Sequence, residues 1–311
     1  EQQDHGGRDK EGCAHRGDST KMRAAMPDAD WSLLLRTPAF QTTAFLVGLL
    51  LGSFANVCIH RLPADYEPFP GRLGWLRDLW RQLRSVVYPP SHCPRCGRPI
   101  RPWDNVPLVS FLVLRGRCRS CGAPISLRYP AVEAANGLLW LGLAWRYGPR
   151  LSTVVEMLLA TALLVLVLID LDHQLLPDAV TIPGVLAGIA VAFLPGWPVS
   201  PLEAVASAAG GYLGFAVLAW AWRRLRGIEA LGQGDWKMAA MLGAFLGWDR
   251  LLLTLVLASA AGSIVGVTMI AAGRGRWQSK LPLGSFLGTA GIVVLFLGGR
   301  LLGWYGGLFR G

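Results

Sequence analysis

"ALLVLVLIDLDHQLLPD", residues 162–178, decides how the rest of the chain is read. Eight apolar residues continue a hydrophobic run that begins near 152, and the run ends on Asp170, Asp172, His173 and Asp178. A helix that crosses a bilayer needs about 20 mainly apolar residues. A carboxylate placed in such a helix costs about 2.5–3.5 kcal/mol at the bilayer centre. The segment is therefore expected to be a membrane helix whose end carries chemistry. Composition agrees: the 311 residues are 52% hydrophobic and 16% charged, which excludes an ordinary soluble globular domain. Seven further runs surround this one, giving 39–59, 131–147, 152–169, 179–196, 203–222, 236–247, 251–272 and 284–304, with the sixth short enough to be a partial or tilted span. The expected fold class is an all-α polytopic membrane protein with about eight transmembrane helices and a long polar loop between the first and second. Tryptophans at or near the run ends, among them Trp140, Trp145, Trp220, Trp248 and Trp304, suit a membrane interface, with core packing as the alternative for each.

Four regions follow. Residues 1–36 are polar, of mixed charge and poor in large apolar side chains, and are expected to be a disordered tail; Met22 and Met26 are candidate natural starts. Residues 37–59 hold the first membrane helix, 60–130 a cytoplasmic loop domain, and 131–305 the remaining membrane domain. Orientation comes from the basic residues. The loop between the first two runs carries twelve arginines against four acids, and "RRLRGIEALGQGDWK" and "GRGRWQSK" fall on the same side. Lys and Arg accumulate in cytoplasmic loops, so that side is assigned to the cytoplasm. The net charge of +10 is then explained by an anionic lipid surface and needs no nucleic acid.

The basic loop contains "CPRCG" at 93–97 and "CRSCG" at 118–122. Two Cys-x-x-Cys turns at this separation can close a tetrahedral four-thiolate site through Cys93, Cys96, Cys118 and Cys121. Disulfides or a redox pair are the alternative, and a cytoplasmic loop favours the metal because thiols there stay reduced. Cys13 and Cys58 have no partner motif and are read as bystanders, and His60 and His92 as surface residues.

A second carboxylate sits in "ALGQGDWKMAAMLGAFLGW", where Asp235 lies between a glycine turn and an apolar run. Two intervening spans return the chain from Asp170 to the same side. Two carboxylates sharing a site do not both ionise easily, so one can hold a proton while the other activates water against a peptide carbonyl. Asp170 at a helix end and Asp235 at a helix start meet opposite ends of the helix dipole, which differentiates them. Gly232 and Gly234 would let the backbone turn tightly and approach a substrate strand. Other readings stay open here: Asp235 as a helix cap, Asp172 and Asp178 as loop acids, or Asp-x-Asp-His as a divalent-metal site. A zinc-bearing scaffold for an assembly complex and a transporter using the acids as ion sites are the rival functions.

In order, "GSFANVCIHRLP" at 52–63, the two cysteine turns, "NVPLVSFLVLRGRC" at 105–118, "ISLRYPAVE" at 125–133, "IDLDHQLLPD" at 169–178 and "GQGDWKMAAMLGAFLGW" at 232–248 resemble the bacterial type IV prepilin peptidases. These are membrane aspartic proteases with a Gly-x-Gly-Asp motif that are also N-methyltransferases. The resemblance implies that Asp170 and Asp235 are catalytic and that the four cysteines hold structural zinc. It also implies an inner-membrane enzyme with its active site on the cytoplasmic side. That enzyme would cut the basic leader from type IV prepilins or type II secretion pseudopilins and methylate the new amino terminus with S-adenosylmethionine, or act as a peptidase only. Two departures stand out: an Arg- and Trp-rich segment near 65–88, and "LPLGSFLG" at 281–288, a loose version of a family motif that is expected to touch no proposed catalyst.

Overall fold

The structure is a computed structural model that describes residues 38–64, 74–88, 90–227, 232–273 and 281–308. The N-terminal tail, with Cys13 and both candidate start residues, lies outside the described residues. Among those residues every long element is a helix: α1 Pro38–Arg61, α2 Gly74–Val87, the short α3 Val109–Val113, α4 Arg128–Tyr147, α5 Leu151–His173, α6 Asp178–Val191, α7 Pro201–Arg226, α8 Gln233–Ala271 and α9 Leu283–Leu308. The all-α expectation holds, and each of the eight apolar runs falls largely on helix.

Among the described residues, five helices are long and apolar enough to cross a membrane, namely Pro38–Arg61, Leu151–His173, Pro201–Arg226, Gln233–Ala271 and Leu283–Gly307. The chain is an integral membrane protein on that ground. Eight runs do not become eight such helices, for three local reasons. Helix α4 carries Arg128, Glu133 and Arg146 within 20 residues. Helix α6 is only 14 residues long. The sixth and seventh runs are joined in α8, whose 39 residues break at Gly247, where φ is 72° and ψ is −179°. Unbroken, that helix would reach about 58 Å, roughly twice a bilayer core. The break frees the Trp248 amide, and Glu203 Oε1 from α7 accepts it at 3.3 Å.

Lipid tails give no hydrophobic drive for one apolar helix to seek another, so the helices associate through small residues and internal hydrogen bonds. Helices α1 and α4 illustrate it. A methyl group on Gly48 would lie 2.8 Å from Trp140 Cβ, and one on Gly52 would lie 2.8 Å from Glu133 Cα. The close approach lets Asn136 Nδ2 donate to Gly48 O at 2.7 Å and Asn56 Nδ2 to Tyr129 O at 3.1 Å. Helices α7 and α8 repeat the device, with Ser207 Oγ donating to Gly243 O at 2.8 Å. The central core is aliphatic and thioether, with Leu163, Leu166, Met238, Met241, Leu242 and Leu287 fully buried. The tryptophans divide between the two readings: Trp140 is buried and donates to Thr161 Oγ1 at 2.9 Å, whereas Trp145, Trp220 and Trp304 are exposed.

This packing gathers the C-terminal ends of α1 and α5 with the N-terminal ends of α6, α8 and α9. The cysteine loop is tied to the same end. The Leu108 amide donates to Glu133 Oε2 at 2.9 Å, holding Leu108 at a φ of 59° that a leucine rarely adopts. Arg128 pairs with Asp172.

Candidate active site

Asp170 lies in the last turn of α5 and is 4% exposed. A buried carboxylate needs donors, and they come from the start of α9: Ser285 N donates to Asp170 Oδ2 at 2.6 Å and Ser285 Oγ to the same oxygen at 2.8 Å. The expectation that "LPLGSFLG" touches no proposed catalyst is therefore wrong. The approach depends on Gly284, where an added methyl group would lie 3.0 Å from Asp170 Cγ and 2.9 Å from Leu176 Cδ1.

Leu176 links this half of the site to the other. It is buried, and its Cβ would lie 2.9 Å from a methyl group on Gly234. One turn into α8, Asp235 reaches back so that its Oδ2 accepts the Gly232 amide at 3.2 Å, using an N–H that the helix start leaves unbonded. Leu176 thereby packs against both the Asp170 side and the Asp235 side of the site. Asp235 occupies the third helical position of α8 rather than the cap itself, which is Gly232. Neither Gly232 nor Gly234 has a positive φ, so the expected tight turn is not what requires them. Gly234 is small because Leu176 packs on it, and a methyl group on Gly232 would meet only Asp235 Oδ2 at 3.4 Å.

The other acids of the first stretch are not loop acids. Asp172 is in α5 and pairs with Arg128, the first residue of α4. Asp178 opens α6 behind Pro177, and its two oxygens receive Lys237 Nζ at 2.6 and 2.8 Å. This ion pair fastens the first turn of α6 to the first turn of α8, two residues from Asp235. Asp170, Asp235, Gly232 and Gly234 were singled out by the sequence and do converge. Ser285, Gly284, Leu176 and the Asp178–Lys237 pair were missed. A Lys two residues beyond Gly-x-Gly-Asp was the one available signal, since a cation at a helix start opposes the dipole and asks for a partner.

The cysteines form a second, separate centre. Each turn is a miniature hairpin, and the two repeat with a 25-residue offset. In the first, Cys93 N donates to Arg98 O, Gly97 N to Cys93 O and Ile100 N to Ser91 O; in the second, Cys118 N donates to Ala123 O, Gly122 N to Cys118 O and Ile125 N to Gly116 O. Gly97 and Gly122 take φ of 67° and 71°, which glycine adopts without strain. The four sulfurs lie within 4.8 Å of one another, and Cys93 Sγ is 3.9 Å from Cys121 Sγ. Four thiolates about 2.3 Å from one tetrahedral zinc stand about 3.8 Å apart, whereas a disulfide is about 2.05 Å long. The cluster could hold a metal ion. Hydrogen bonds from the Cys96 and Arg95 amides hold the Cys93 thiol down to about 6, whereas, against a hydrogen bond from the Ala123 amide, burial and hydrogen bonding with the other three sulfurs push the Cys121 thiol up to about 11. Arg119, between the second pair of cysteines, makes a two-pronged ion pair with Asp104 at 2.6–3.0 Å. The Arg119 hydrogen bond holds the Asp104 carboxyl below its usual range.

The four cysteines and both aspartates lie inside segments that match known families. The model described as the Bacterial Peptidase A24 N-terminal domain matches residues 46–147, and that of the Type IV leader peptidase family matches residues 157–267. Among curated proteins, the prepilin leader peptidase/N-methyltransferase of Pseudomonas putida is 42% identical over 250 residues, covering 77% of this chain and 85% of the relative. That of Aeromonas hydrophila is 41% identical over 276 residues, covering 84% and 92%. That of Burkholderia pseudomallei is 39% identical over 267 residues, covering 82% and 84%. No solved structure matches the chain significantly. With both halves of its described membrane and loop regions matched and relatives of this identity aligned over most of their length, the chain belongs to the Type IV leader peptidase family.

Proposed function

We propose that this protein is an aspartic endopeptidase of the inner membrane that removes the leader peptide from type IV prepilins or pseudopilins and methylates the amino terminus it exposes. The observation that carries the reading is that Leu176 packs on both Gly284, which lies against Asp170, and Gly234, the neighbour of Asp235, so that two carboxylates 65 residues apart share one end of the bundle inside the segment matched by the leader peptidase family model. Ser285 occupies Asp170 Oδ2 and the Gly232 amide occupies Asp235 Oδ2, so each carboxyl keeps Oδ1 outside these bonds. In the proposed reaction one carboxylate takes a proton from water as it attacks the scissile carbonyl. The other, protonated, donates to the carbonyl oxygen to give a gem-diol; as the C–N bond breaks, the first passes its proton to the leaving amine and the second takes back a proton from the gem-diol hydroxyl. Gly232, exposed at the α8 start, and Gly234 carry no side chain and so leave the substrate strand room to approach. The substrate comes from a pilin-like membrane protein, lipids are the surrounding partner, and nucleic acid has no role.

Cys93, Cys96, Cys118 and Cys121 would hold one structural zinc, which organises the loop and supplies no step of the proteolysis. The sulfur spacing supports this. The arginine-rich loop on the same end as the carboxylates supports a cytoplasmic site through the distribution of positive charge. Methyl transfer from S-adenosylmethionine follows from the relatives' names, and no residue is assigned to hold the donor.

The test is cleavage of a purified prepilin by Asp170→Asn and Asp235→Asn proteins in detergent or bilayer, with methylation scored separately on a pre-cleaved pilin. Both variants should lose cleavage while remaining folded and able to methylate. Wild-type cleavage by either would remove the carboxyl pair from the mechanism and leave the scaffold reading.

A further inference from the structure

Helix α2 belongs to the Arg- and Trp-rich segment of the first loop, and nothing in the peptidase reading uses it. Its described side chains fall into three stripes, each repeating at helical spacing. Leu79, Gln82 and Val86 face the bundle, where Leu79 and Val86 join the cluster of Ile59, Leu62 and Ala179. Trp80, Leu83 and Val87 face outward and are 71%, 41% and 80% exposed. Arg77, Arg81 and Arg84 form the third stripe and are also exposed. At 100° per residue the outward apolar stripe stands about 100° around the axis from each of the other two.

The depth of α2 is fixed by what it touches. Ile59 and Leu62 are at the end of α1 and Ala179 at the start of α6, so the helix lies where membrane-spanning segments finish. Arg61 Nη1 donates to Ser85 O at 2.9 Å, capping the last turn of α2 and locking its roll. A helix held at that depth, with an exposed Trp-containing apolar stripe beside a row of guanidinium groups, complements one kind of surface: apolar chains below, phosphates alongside.

We infer that α2 is an interfacial helix seated in anionic lipid headgroups, with Trp80, Leu83 and Val87 entering the acyl boundary and Arg77, Arg81 and Arg84 engaging the phosphates. Because α2 rests on Ala179, the residue after Asp178, the headgroup layer is then one helix away from the Asp178–Lys237 pair. The inference goes beyond the peptidase reading and does not depend on it.

The experiment uses the full chain in nanodiscs of phosphatidylcholine alone or mixed with phosphatidylglycerol, reading amide hydrogen exchange across 74–87. An arginine near an anionic surface contributes roughly fivefold in binding. Exchange should therefore slow at least about tenfold in the anionic discs. Arg77→Gln, Arg81→Gln and Arg84→Gln together should abolish that difference, and the three Lys replacements should keep it. Unchanged exchange in α5 controls for folding. Equal exchange in the two lipids, or full protection of the Gln variant in anionic discs, overturns the proposal. Protection only when other membrane proteins are present would replace the lipid with a protein partner.

Discussion

The cysteine centre and the carboxylate centre are built in opposite ways. All four thiols lie within 29 residues of chain, each pair presented by a turn whose hydrogen bonds are local. The carboxylate centre takes Asp170 from α5, Leu176 from the connection, Asp235 from α8 and Ser285 from α9, with 115 residues between Asp170 and its donor. A local centre needs an ion to hold its halves together and owes little to the bundle. A dispersed centre owes its geometry to packing, and each contributor can be disturbed from outside the site. The difference teaches that the zinc site should survive loss of a carboxylate, whereas proteolysis should depend on the zinc loop only through the way it presents the substrate.

The sharpest way to break that comparison is to remove a carboxylate. Asp235→Asn or Asp170→Asn should lower cleavage by at least about 10³-fold. Zinc per chain, measured on the same preparation, should stay at the wild-type value. A variant that loses zinc along with activity would show the two centres to be one cooperative unit.

The reciprocal change comes next. Structural zinc in a four-thiolate site is bound by about 10–16 kcal/mol, most of which organises the surrounding chain. Each of the four Cys→Ser proteins should lose the metal and show fast amide exchange over 91–125. Cleavage should fall by about 10²-fold through poor substrate presentation, while the residual activity keeps the wild-type dependence on Asp170 and Asp235. Four dissimilar phenotypes at full zinc occupancy would exclude a shared site.

Within the dispersed centre the ranking follows burial. The Lys237 and Asp178 side chains are 16% and 14% exposed. Lys237→Met should cost about 30-fold in kcat, equivalent to ~2 kcal/mol for stranding a partly buried partner, and Asp178→Asn should reproduce it. A double variant no worse than either single one identifies the pair as the working element. Ser285→Ala removes the hydroxyl but leaves the backbone N–H on Asp170 Oδ2, so about tenfold in kcat with KM unchanged is expected. Asp172→Asn should be mildest. Its pairing with Arg128 involves side chains 32% and 44% exposed, and less than about fivefold is expected in any assay.

What the sequence disclosed follows the same division. The cysteine spacing announces its own geometry because both turns are local, and the two aspartates stand out because a charge at the end of an apolar run has a visible cost. Ser285 carries no such mark. A serine near a helix start is ordinary, and its role exists only because Gly284 lets α9 approach α5. The same limit applies to Asp172 and Asp178, whose partners lie 44 and 59 residues away. The sequence separated its sixth and seventh runs at Gly247, where α8 does break, but gave no sign that the freed amide finds its acceptor in Glu203 of another helix.

That break has a mechanical consequence. Helix α8 is two rods end to end, a short inner one of about 21 Å carrying Asp235 and a longer one, 248–271, that faces outward along much of its length. An unbroken helix would act as a lever, turning any tilt imposed on the outer rod into displacement at Asp235. With the ladder interrupted at Gly247 and its loose end fastened to α7, the joint works like an expansion gap in a rail. Stress from a bilayer that thickens or thins is taken up at the gap, and the inner rod keeps its alignment from its own neighbours.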